Sequence, residues 1–351
     1  MPLTTTAIGA FPKPSYLAVP DWFRAESGPD TVDPTGGYAA AVAALGDEAE
    51  EAFARATHEV VRDQVAAGID IPTDGEVRRE NYIHYHCRHL DGIDFERLTE
   101  KSLREGAYSA RLPTVTGPIA ARDRFLPRDW RVAQAATDRP VKITLPGPMT
   151  IADTVVDAHY GDQRRLGAAL AEALNVEVRA LAEAGCRHIQ IDEPLFARRT
   201  DAALDYGFEH LERCFHGCPG EVTRTVHMCC GYPDRLDNPD YPKAPRESYA
   251  RLAAAIDDAA IDAVSIEDAH RPNDLALLER LPNTTVILGV VAIAKSRVES
   301  VEEIRTRLAA ALEHIDARRL IAAPDCGLGL LGRERALAKL RALAEAARSL
   351  S

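Results

Sequence analysis

The chain has 351 residues, of which 46% are hydrophobic and 27% charged, and its formal net charge is −12. This length and apolar content suffice for a large core, in one α/β barrel or in two smaller domains. The negative charge argues against nonspecific binding to nucleic acid or to an anionic membrane surface. The N-terminus lacks a basic region followed by an apolar core, and the longest apolar run, Val286 to Ala294, is too short to cross a bilayer. We therefore expect a cytoplasmic protein.

The first half of the chain alternates short apolar runs with amphipathic segments. TTTAIGA predicts a first strand, and the apolar spacing from Ala49 to Gln64 predicts a helix that ends at Gly68. IDIPTDGE predicts the second strand and VKITLPG the third. A leucine stripe from Leu166 to Leu181 then predicts a helix that ends at Gly185, followed by the fourth strand, HIQIDEP.

Residues 81–139, between the second and third predicted strands, show no regular spacing of apolar residues. This stretch has short apolar pieces and three prolines, at Pro113, Pro118 and Pro127. Long connections without a regular pattern are often functional loops. We predict that residues 81–139 form an insertion over the mouth of the fold.

The second half repeats strand and helix more regularly. TRTVHMCC, DAVSIED, TVILGVV and LIAAPDCG predict four strands, and helices are expected near 248–258, 273–281 and 301–315 and from about 333. Eight strand-and-helix pairs, joined by right-handed crossovers, favour a single α/β domain over 1–351 that closes into a (β/α)8 TIM barrel. A doubly wound open sheet is the alternative. Neither GxGxxG nor GxxxxGK[ST] follows the first strand, which disfavours nucleotide binding.

Potential metal ligands stand where three of the predicted strands end. His227 and Cys229 are one residue apart and point the same way on a strand, while Glu267 and Cys326 end the sixth and eighth strands. In a barrel these four side chains converge, and their mixture of nitrogen, sulfur and oxygen favours Zn²⁺ over Ca²⁺ or Mg²⁺. Taken singly, a buried histidine is usually a core residue and Glu267 could cap the next helix.

The other cysteines give a weaker signal. Seven cysteines in a chain of this length indicate reduced thiols rather than a disulfide framework. Cys214 and Cys218 beside His216 could bind a second metal ion, but no further ligands are near them in the sequence. We interpret the five cysteines outside the predicted zinc site as structural.

The negative charge of two thiolates and one carboxylate exceeds the positive charge of the zinc ion. This excess makes the ion a poor activator of water. Such a site suits an incoming thiol, which loses its proton on the metal and remains nucleophilic. Alkyl transfer to sulfur is the chemistry that follows. Glu267, the hard ligand, would leave or lengthen as the substrate sulfur enters.

Seven motifs, in order along nearly the whole chain, resemble the catalytic half of cobalamin-independent methionine synthase. They are IGAFPKP near the N-terminus, DGE at 74–76, GPMTI at 147–151, IQIDEP at 189–194, HMC at 227–229, SIE at 265–267 and PDCGL at 324–328. The resemblance implies a thiol methyltransferase with homocysteine as acceptor and Zn²⁺ bound by the four residues above. It also implies that Glu76 and Asp192 hold the ammonium group of homocysteine, and that the backbone around Ile8, Gly9 and Ala10 meets its carboxylate.

The chain departs from this family's pattern on the donor side. It resembles the short members that lack an extra N-terminal barrel, and Thr154 stands near the position of a tryptophan that stacks on the pterin. Ala292 and Ala294 replace an expected Asp and His, and Ala10 replaces a Ser. The donor could be 5-methyltetrahydrofolate, but a methylcorrinoid, free or bound to a corrinoid protein, fits these gaps better because cobalt itself is the leaving group.

The start of the predicted insertion supplies candidates for proton donation. RRENYIHYHCRHLDG is dense in Arg, Tyr and His, so it could bind an acidic donor, or His84 or His86 could supply a proton; a solvated strand is the alternative. Three other functions stay open. They are zinc-dependent alkyl transfer to another thiol, as in epoxide opening, a uroporphyrinogen-decarboxylase-like enzyme, and a noncatalytic protein that binds zinc and a thiol.

Overall fold

The computed structural model describes residues 2–23, 34–103, 108–233 and 235–350, and its centre is a parallel β-sheet. The strands, in chain order, are β1 (Thr4–Thr5), β2 (Leu90–Leu103), β3 (Tyr108–Ala121), β4 (Lys142–Pro146), β5 (Val156–Asp157), β6 (His188–Asp192), β7 (Thr223–Met228), β8 (Ala263–Glu267), β9 (Thr285–Val291) and β10 (Leu320–Pro324). Seven of them pair in the order β1-β10-β9-β8-β7-β6-β4, all parallel. The predicted α/β class is confirmed.

The two edges of this curled sheet are connected through residues 71–73. Ile71 bridges Thr6 beside β1, and Thr73 bridges Lys142 of β4, both in parallel orientation. The Lys142 N–H donates to the carbonyl oxygen of Pro72 at 2.8 Å. The second predicted strand is therefore present only as isolated bridges between the edge strands.

Helices follow most of the strands and cover the sheet. They are α1 (Pro34–Leu45), α2 (Ala49–Ala66), α3 (Tyr82–Cys87), α4 (Leu126–Gln134), α5 (Pro148–Asp153), α6 (Gln163–Ala184), α7 (Pro194–Arg198), α8 (Thr200–Ala202), α9 (Phe208–Phe215), α10 (Ser248–Asp258), α11 (Val301–Ala311) and α12 (Arg333–Arg348). The helix expected near 273–281 is a 3₁₀ helix, Leu275–Arg280. Gly185 ends α6 with φ +107°, as its left-handed cap predicts.

The connection between Thr73 and Lys142 contains regular structure that the sequence did not reveal. After α3, strands β2 and β3 form an antiparallel hairpin, and α4 leads back to β4. The pairing register shifts between Asp91 and Ile93 and again between Asp94 and Thr99. Such bulges interrupt the alternation of apolar and polar residues, so the period of two that marks a strand is lost.

The core is a large apolar cluster between the sheet and its helices, and the predicted apolar face of α2 is buried in it. All seven cysteines are free thiols, as expected. Within the described ranges, no helix has the length and apolar character that crossing a membrane requires.

Candidate metal site and adjoining cavity

His227, Cys229 and Cys326 bring an imidazole nitrogen and two sulfurs to within 4.8 Å of one another. His227 lies near the end of β7, Cys229 directly follows that strand, and Cys326 lies two residues beyond β10. The carboxyl ends of parallel strands lie at one edge of the sheet, which brings residues distant in sequence together. The structure thus places three of the four predicted zinc ligands in one group.

The ring of His227 is oriented by a serine on the neighbouring strand. Its Nδ1 lies 2.9 Å from Ser265 Oγ, and its Nε2 lies 3.4 Å from Cys326 Sγ. A hydroxyl that accepts the Nδ1 proton leaves the Nε2 lone pair free for a metal. Ser265 therefore acts as a positioning residue for this imidazole.

The thiols of Cys229 and Cys326 are hydrogen-bonded to each other. The hydrogen bond from Cys326 holds the pKa of the Cys229 thiol well below its ordinary value, and His227 and the positive charge of Arg198 lower that pKa further. The hydrogen bond with Cys229 in turn raises the pKa of Cys326 well above its ordinary value, and burial adds to this rise. One anionic sulfur is therefore favoured, and the thiolate is the form of cysteine that binds metals.

Glu267 lies beside this group rather than in it. Its carboxylate falls within 4.8 Å of ligand atoms of His270 and Asp325. Burial raises the pKa of Glu267 well above its ordinary value, and the negative charges of Cys229 and Asp325 raise it further. Glu267 thus carries a raised pKa beside the group, and it is not one of the three side chains whose ligand atoms cluster.

His270 and Asp325 are already satisfied by protein groups. His270 Nδ1 lies 2.6 Å from Asp325 Oδ2, and the backbone N–H of Ala294 donates to His270 Nε2 at 3.0 Å. The Asp325 carboxylate also accepts hydrogen bonds from the backbone of residues 268–270. Both imidazole nitrogens are occupied, so these two residues form a structural network that holds the loop after β8.

A cavity opens in front of the metal-ligand group and encloses about 880 Å³ of empty space, including the part open to solvent. His227, Cys229 and Cys326 line it. The other residues that sequence analysis assigned to homocysteine also line it, and they are Ile8, Gly9, Ala10, Glu76 and Asp192. One cavity therefore contains the predicted acceptor contacts and the three clustered ligands.

Glu76 is held in an unusual backbone conformation at the cavity wall. Its φ is +55°, which is rare outside glycine, and it follows Gly75 at φ +68°. The Thr144 hydroxyl donates to Glu76 Oε1 at 2.9 Å, and Arg79 Nη1 lies 3.5 Å from the same atom. Burial raises the pKa of Glu76 to about 7, against its attraction to Arg79. A cation that enters the cavity would stabilise the ionised carboxylate.

Asp192 faces the same cavity from the end of β6. Gln190 Nε2 donates both to Asp192 Oδ1 at 2.7 Å and to the Ile8 carbonyl at 2.9 Å. These hydrogen bonds connect β6 to the loop after β1. Burial raises the pKa of Asp192 to about 6. Two buried carboxylates on one cavity form a suitable site for an ammonium group.

His84 and His86, the predicted proton donors, lie on α3 and do not line the cavity. His84 Nε2 is 3.2 Å from the Thr154 carbonyl oxygen, and His86 Nδ1 is 2.7 Å from the Tyr82 carbonyl oxygen. Burial lowers the pKa of His84 to about 4 and lowers that of His86 well below its ordinary value. Burial therefore favours the neutral form of both imidazoles at pH 7.

Four aromatic residues line the cavity, Trp22, Phe23, Tyr82 and Tyr232, and sequence analysis missed three of them, Trp22, Phe23 and Tyr232. We call this set the aromatic wall. The Trp22 ring centroid lies 5.1 Å from that of Phe23 and 5.9 Å from that of Tyr82, and the Phe23 and Tyr232 centroids are 5.4 Å apart. Trp22 and Phe23 lie in a loop that has no hydrophobic periodicity, so no local sequence pattern indicated that they line a cavity. Arg198 also lines the cavity and was missed.

Comparisons with known proteins show the family to which this chain is similar. The sequence profile of the family described as "Cobalamin-independent synthase, Catalytic domain" matches residues 29–349. A methionine synthase of Sulfolobus acidocaldarius is 28% identical over 339 residues, covering 96% of this chain and 89% of that protein. One from Saccharolobus solfataricus is 29% identical over 348 residues, covering 98% and 93% respectively.

Solved structures of methionine synthases also superimpose on this chain. A B12-independent methionine synthase from a Shewanella species, in complex with selenomethionine, superimposes with a TM-score of 0.86 at 30% identity, covering 100% of this chain and 98% of that one. A putative vitamin-B12-independent methionine synthase from Listeria monocytogenes has a TM-score of 0.67 at 18% identity, covering 95% and 99% respectively. At that identity the Listeria structure supports the fold alone.

Proposed function

This chain belongs to the family of cobalamin-independent synthase catalytic domains, and from that membership we propose that it is a zinc-dependent methyltransferase that methylates homocysteine to methionine. The observation that carries the proposal is the position of His227, Cys229 and Cys326 on the cavity that Glu76 and Asp192 also line. A soft metal-ligand group and an ammonium-binding pair of carboxylates then face one substrate. A thiol that also carries an amine matches both.

The residues fit a zinc ion. Two cysteine sulfurs and one imidazole nitrogen are preferred zinc ligands, the thiolate state is favoured at Cys229, and Ser265 directs the lone pair of His227 Nε2 towards the group. Glu267 is the proposed fourth ligand. When bound, Zn²⁺ would lower the pKa of a substrate thiol and keep the resulting thiolate in place.

The chain's own residues orient the acceptor. Glu76 and Asp192 would hold the ammonium group, and backbone N–H groups of residues 8–10 would meet the carboxylate. Gln190 connects the proposed ammonium contacts with the proposed carboxylate contacts, because its amide donates to both Asp192 and the Ile8 carbonyl. With its amino acid end fixed in this way, homocysteine would extend its sulfur towards the cysteines.

The same proposal includes a closed eight-stranded barrel. Residues 71–73 serve as its second strand, since they bridge both edges of the seven-stranded sheet. Residues 81–139 would then form an insertion at the catalytic mouth, because Tyr82 and Ile83 at its start line the cavity. The ligands would all lie at the carboxyl ends of barrel strands, where catalytic residues of this architecture occur.

The methyl donor would be 5-methyltetrahydrofolate or a methylcorrinoid. A folate donor needs a proton on its leaving nitrogen, and positions 292 and 294 are buried alanines, of which Ala294 uses its N–H to hold His270. These alanines also keep a second candidate open, zinc-dependent alkyl transfer to another thiol. A uroporphyrinogen-decarboxylase-like enzyme would need no zinc, and a noncatalytic protein would bind zinc and thiol without turnover.

The test is a methyl-transfer assay on zinc-loaded protein with homocysteine, with 5-methyltetrahydrofolate and methylcobalamin in parallel reactions. We expect methionine from one of the two donors and one zinc ion per chain by elemental analysis. Zinc binding without methionine from either donor would reject homocysteine methylation and direct attention to other thiols. A fully active metal-free protein would reject the zinc chemistry.

A further inference from the structure

A second cavity lies at the edge of the sheet opposite the metal-ligand group. It encloses about 860 Å³ of empty space, including the part open to solvent. Five strands place their first residue in its wall, and these residues are Lys142, His188, Thr223, Ala263 and Thr285. Parallel strands all begin at one edge of a sheet, so this cavity lies at their amino ends. We call it the amino-end cavity.

The amino-end cavity has an exposed rim and a buried floor. The exposed residues of its wall are Gly220, Glu221 and Arg318. The buried residues of its wall are Thr6, Lys142, Val222, Thr225, Ala263 and Ile287. Among these described residues of the floor, Lys142 alone carries a charge.

Lys142 faces the inside of the curled sheet. Side chains alternate along a strand, so Lys142 and Thr144 of β4 lie on the same face. The Thr144 hydroxyl contacts Glu76, which lines the cavity at the metal-ligand group, and this face is therefore the inner one. The register partner of Lys142 on β6 is His188. The two basic side chains are thus neighbours in the amino-end cavity.

The Lys142 amine has no hydrogen-bond partner among the described residues, although the residue is only 2% exposed. Burying an amine in this way costs free energy unless an acceptor faces it. Burial lowers the pKa of Lys142 to about 7, against the attraction of Asp192. The Asp192 carboxylate accepts a hydrogen bond from Gln190 instead. Lys142 is therefore an unsatisfied donor.

The other charged residues of the wall are paired at the rim. The ion pairs are Arg224–Asp262 at 2.8 Å, Arg318–Asp316 at 3.0 Å and Arg187–Glu221 at 3.9 Å. Burial lowers the pKa of His188 to about 4, and the positive charge of Lys142 lowers it further. The neutral imidazole is thus favoured, and it still offers one N–H.

We propose that the amino-end cavity binds a small oxyanion, a carboxylate or a phosphate, with Lys142 as its counterion. The anion would supply the acceptors that the buried amine lacks, and it would favour the ammonium form. The hydroxyl of Thr225 and the N–H of His188 would donate further hydrogen bonds. The site is separate from the proposed methyl transfer, because none of its lining residues lines the cavity at the metal-ligand group.

The test is a calorimetric titration of the zinc-loaded protein with inorganic phosphate and, in parallel, with acetate. We expect a single binding site for at least one of these oxyanions. Lys142→Met, which keeps the length of the side chain and removes its charge, should weaken binding about tenfold or more. Lys295→Met is the matched control, because it removes an exposed lysine after β9, and it should bind as the unaltered protein does.

The two titrations also distinguish the sources of the anion. Tighter binding of phosphate would assign the site to phosphates, and tighter binding of acetate would assign it to carboxylates. Binding of neither oxyanion to the unaltered protein would show that Lys142 is only hydrated, and it would overturn the site. Equal binding by Lys142→Met would place the anion elsewhere on the protein and overturn the site as well.

Urea unfolding gives an independent measurement. Saturating oxyanion should stabilise the unaltered protein and Lys295→Met more than it stabilises Lys142→Met, because a ligand stabilises only the state that binds it. Equal stabilisation of all three proteins would contradict the site. Neither measurement uses homocysteine or a methyl donor, so the result is independent of the proposed function.

A second variant keeps the charge and changes the floor. Thr225→Val is nearly isosteric and removes one hydroxyl from the buried part of the wall. It should weaken oxyanion binding about fivefold, the usual effect of one neutral hydrogen bond. If Lys142→Met does not fold, this variant decides, and unchanged binding by Thr225→Val would then overturn the site.

Discussion

The imidazole of His227 and the hydroxyl of Ser265 are hydrogen-bonded across two neighbouring strands, with Nδ1 2.9 Å from Oγ. The two residues are also partners in the register of β7 and β8, and both are buried. The pairing of the sheet thus sets the orientation of a proposed metal ligand. Without Ser265, the His227 ring could rotate and its Nδ1 would lose its partner.

We predict that Ser265→Ala weakens zinc binding about 10- to 100-fold, the usual cost of losing the outer partner of a ligating histidine. Competition with a chromogenic chelator measures this affinity. Ser300→Ala, at the N-cap of α11 far along the chain from the site, is the matched control, and it should lower stability by about 1 kcal/mol without changing zinc affinity. Equal zinc affinity in Ser265→Ala and the unaltered protein would refute the positioning role.

Cys326→Ser should lose both zinc and thiol methylation, because it removes one of the two sulfurs and the hydrogen bond that favours the Cys229 thiolate. Cys230→Ser is a sharp control. Cys230 adjoins Cys229 in the sequence and is also buried, but its sulfur contacts the Tyr249 hydroxyl at 3.1 Å and lies outside the ligand group. Elemental analysis and the methionine assay should separate the two variants. Retained activity in a metal-free Cys326→Ser protein would rule out the zinc mechanism.

Glu76 should make the ligand-free protein less stable as pH rises. Burial raises its pKa from the ordinary 4.5 to about 7 in the folded chain, so the folded state binds the proton more tightly than the unfolded state. The stability that Glu76 contributes is then highest below pH 4.5, falls as pH rises towards 7 and levels off above it. The linked loss is roughly 3 kcal/mol at most.

Glu76→Gln should remove that loss, so the variant should gain stability relative to the unaltered protein at pH 8 but not at pH 4.5. Urea unfolding at the two pH values measures the difference. The same variant should bind homocysteine more weakly at pH 8, because an ammonium partner is lost. Glu313→Gln, at an exposed site, should change neither quantity. A Glu76→Gln protein that shows the same pH dependence of stability as the unaltered chain would contradict the assignment.

The clustering of three proposed metal ligands could be predicted because its signal is local. His227 and Cys229 stand at the end of TRTVHMCC, and Cys326 stands just past LIAAP; both segments predict strands, and parallel strands bring such ends together. The ends of α2 and α6 were predictable for a similar reason, since Gly68 and Gly185 have the positive φ that follows from their glycine identity.

Other features depend on tertiary contacts that no local pattern encodes. The β2–β3 hairpin is hidden by its register shifts, which break the alternation of side chains. The aromatic wall joins Trp22 and Tyr232, which are far apart in sequence and have no periodicity around them. Arg198 stands out only because it lacks a partner in the described structure, and only coordinates reveal that property.

Gly9→Ala should weaken acceptor binding and leave the metal ligands intact. A Cβ at position 9 would lie 2.8 Å from Glu76 Oε1, too close for an unshifted carboxylate, and the Glu76 backbone is already at φ +55°. The carboxylate would have to move away from Thr144 and from the position proposed for the ammonium group.

Gly220→Ala is the matched control, because a Cβ there meets no atom within 4 Å. We expect the homocysteine concentration for half-maximal rate to rise about tenfold or more in Gly9→Ala, with unchanged zinc content. Equal homocysteine dependence in the two glycine variants would show that the acceptor does not use the Glu76 carboxylate.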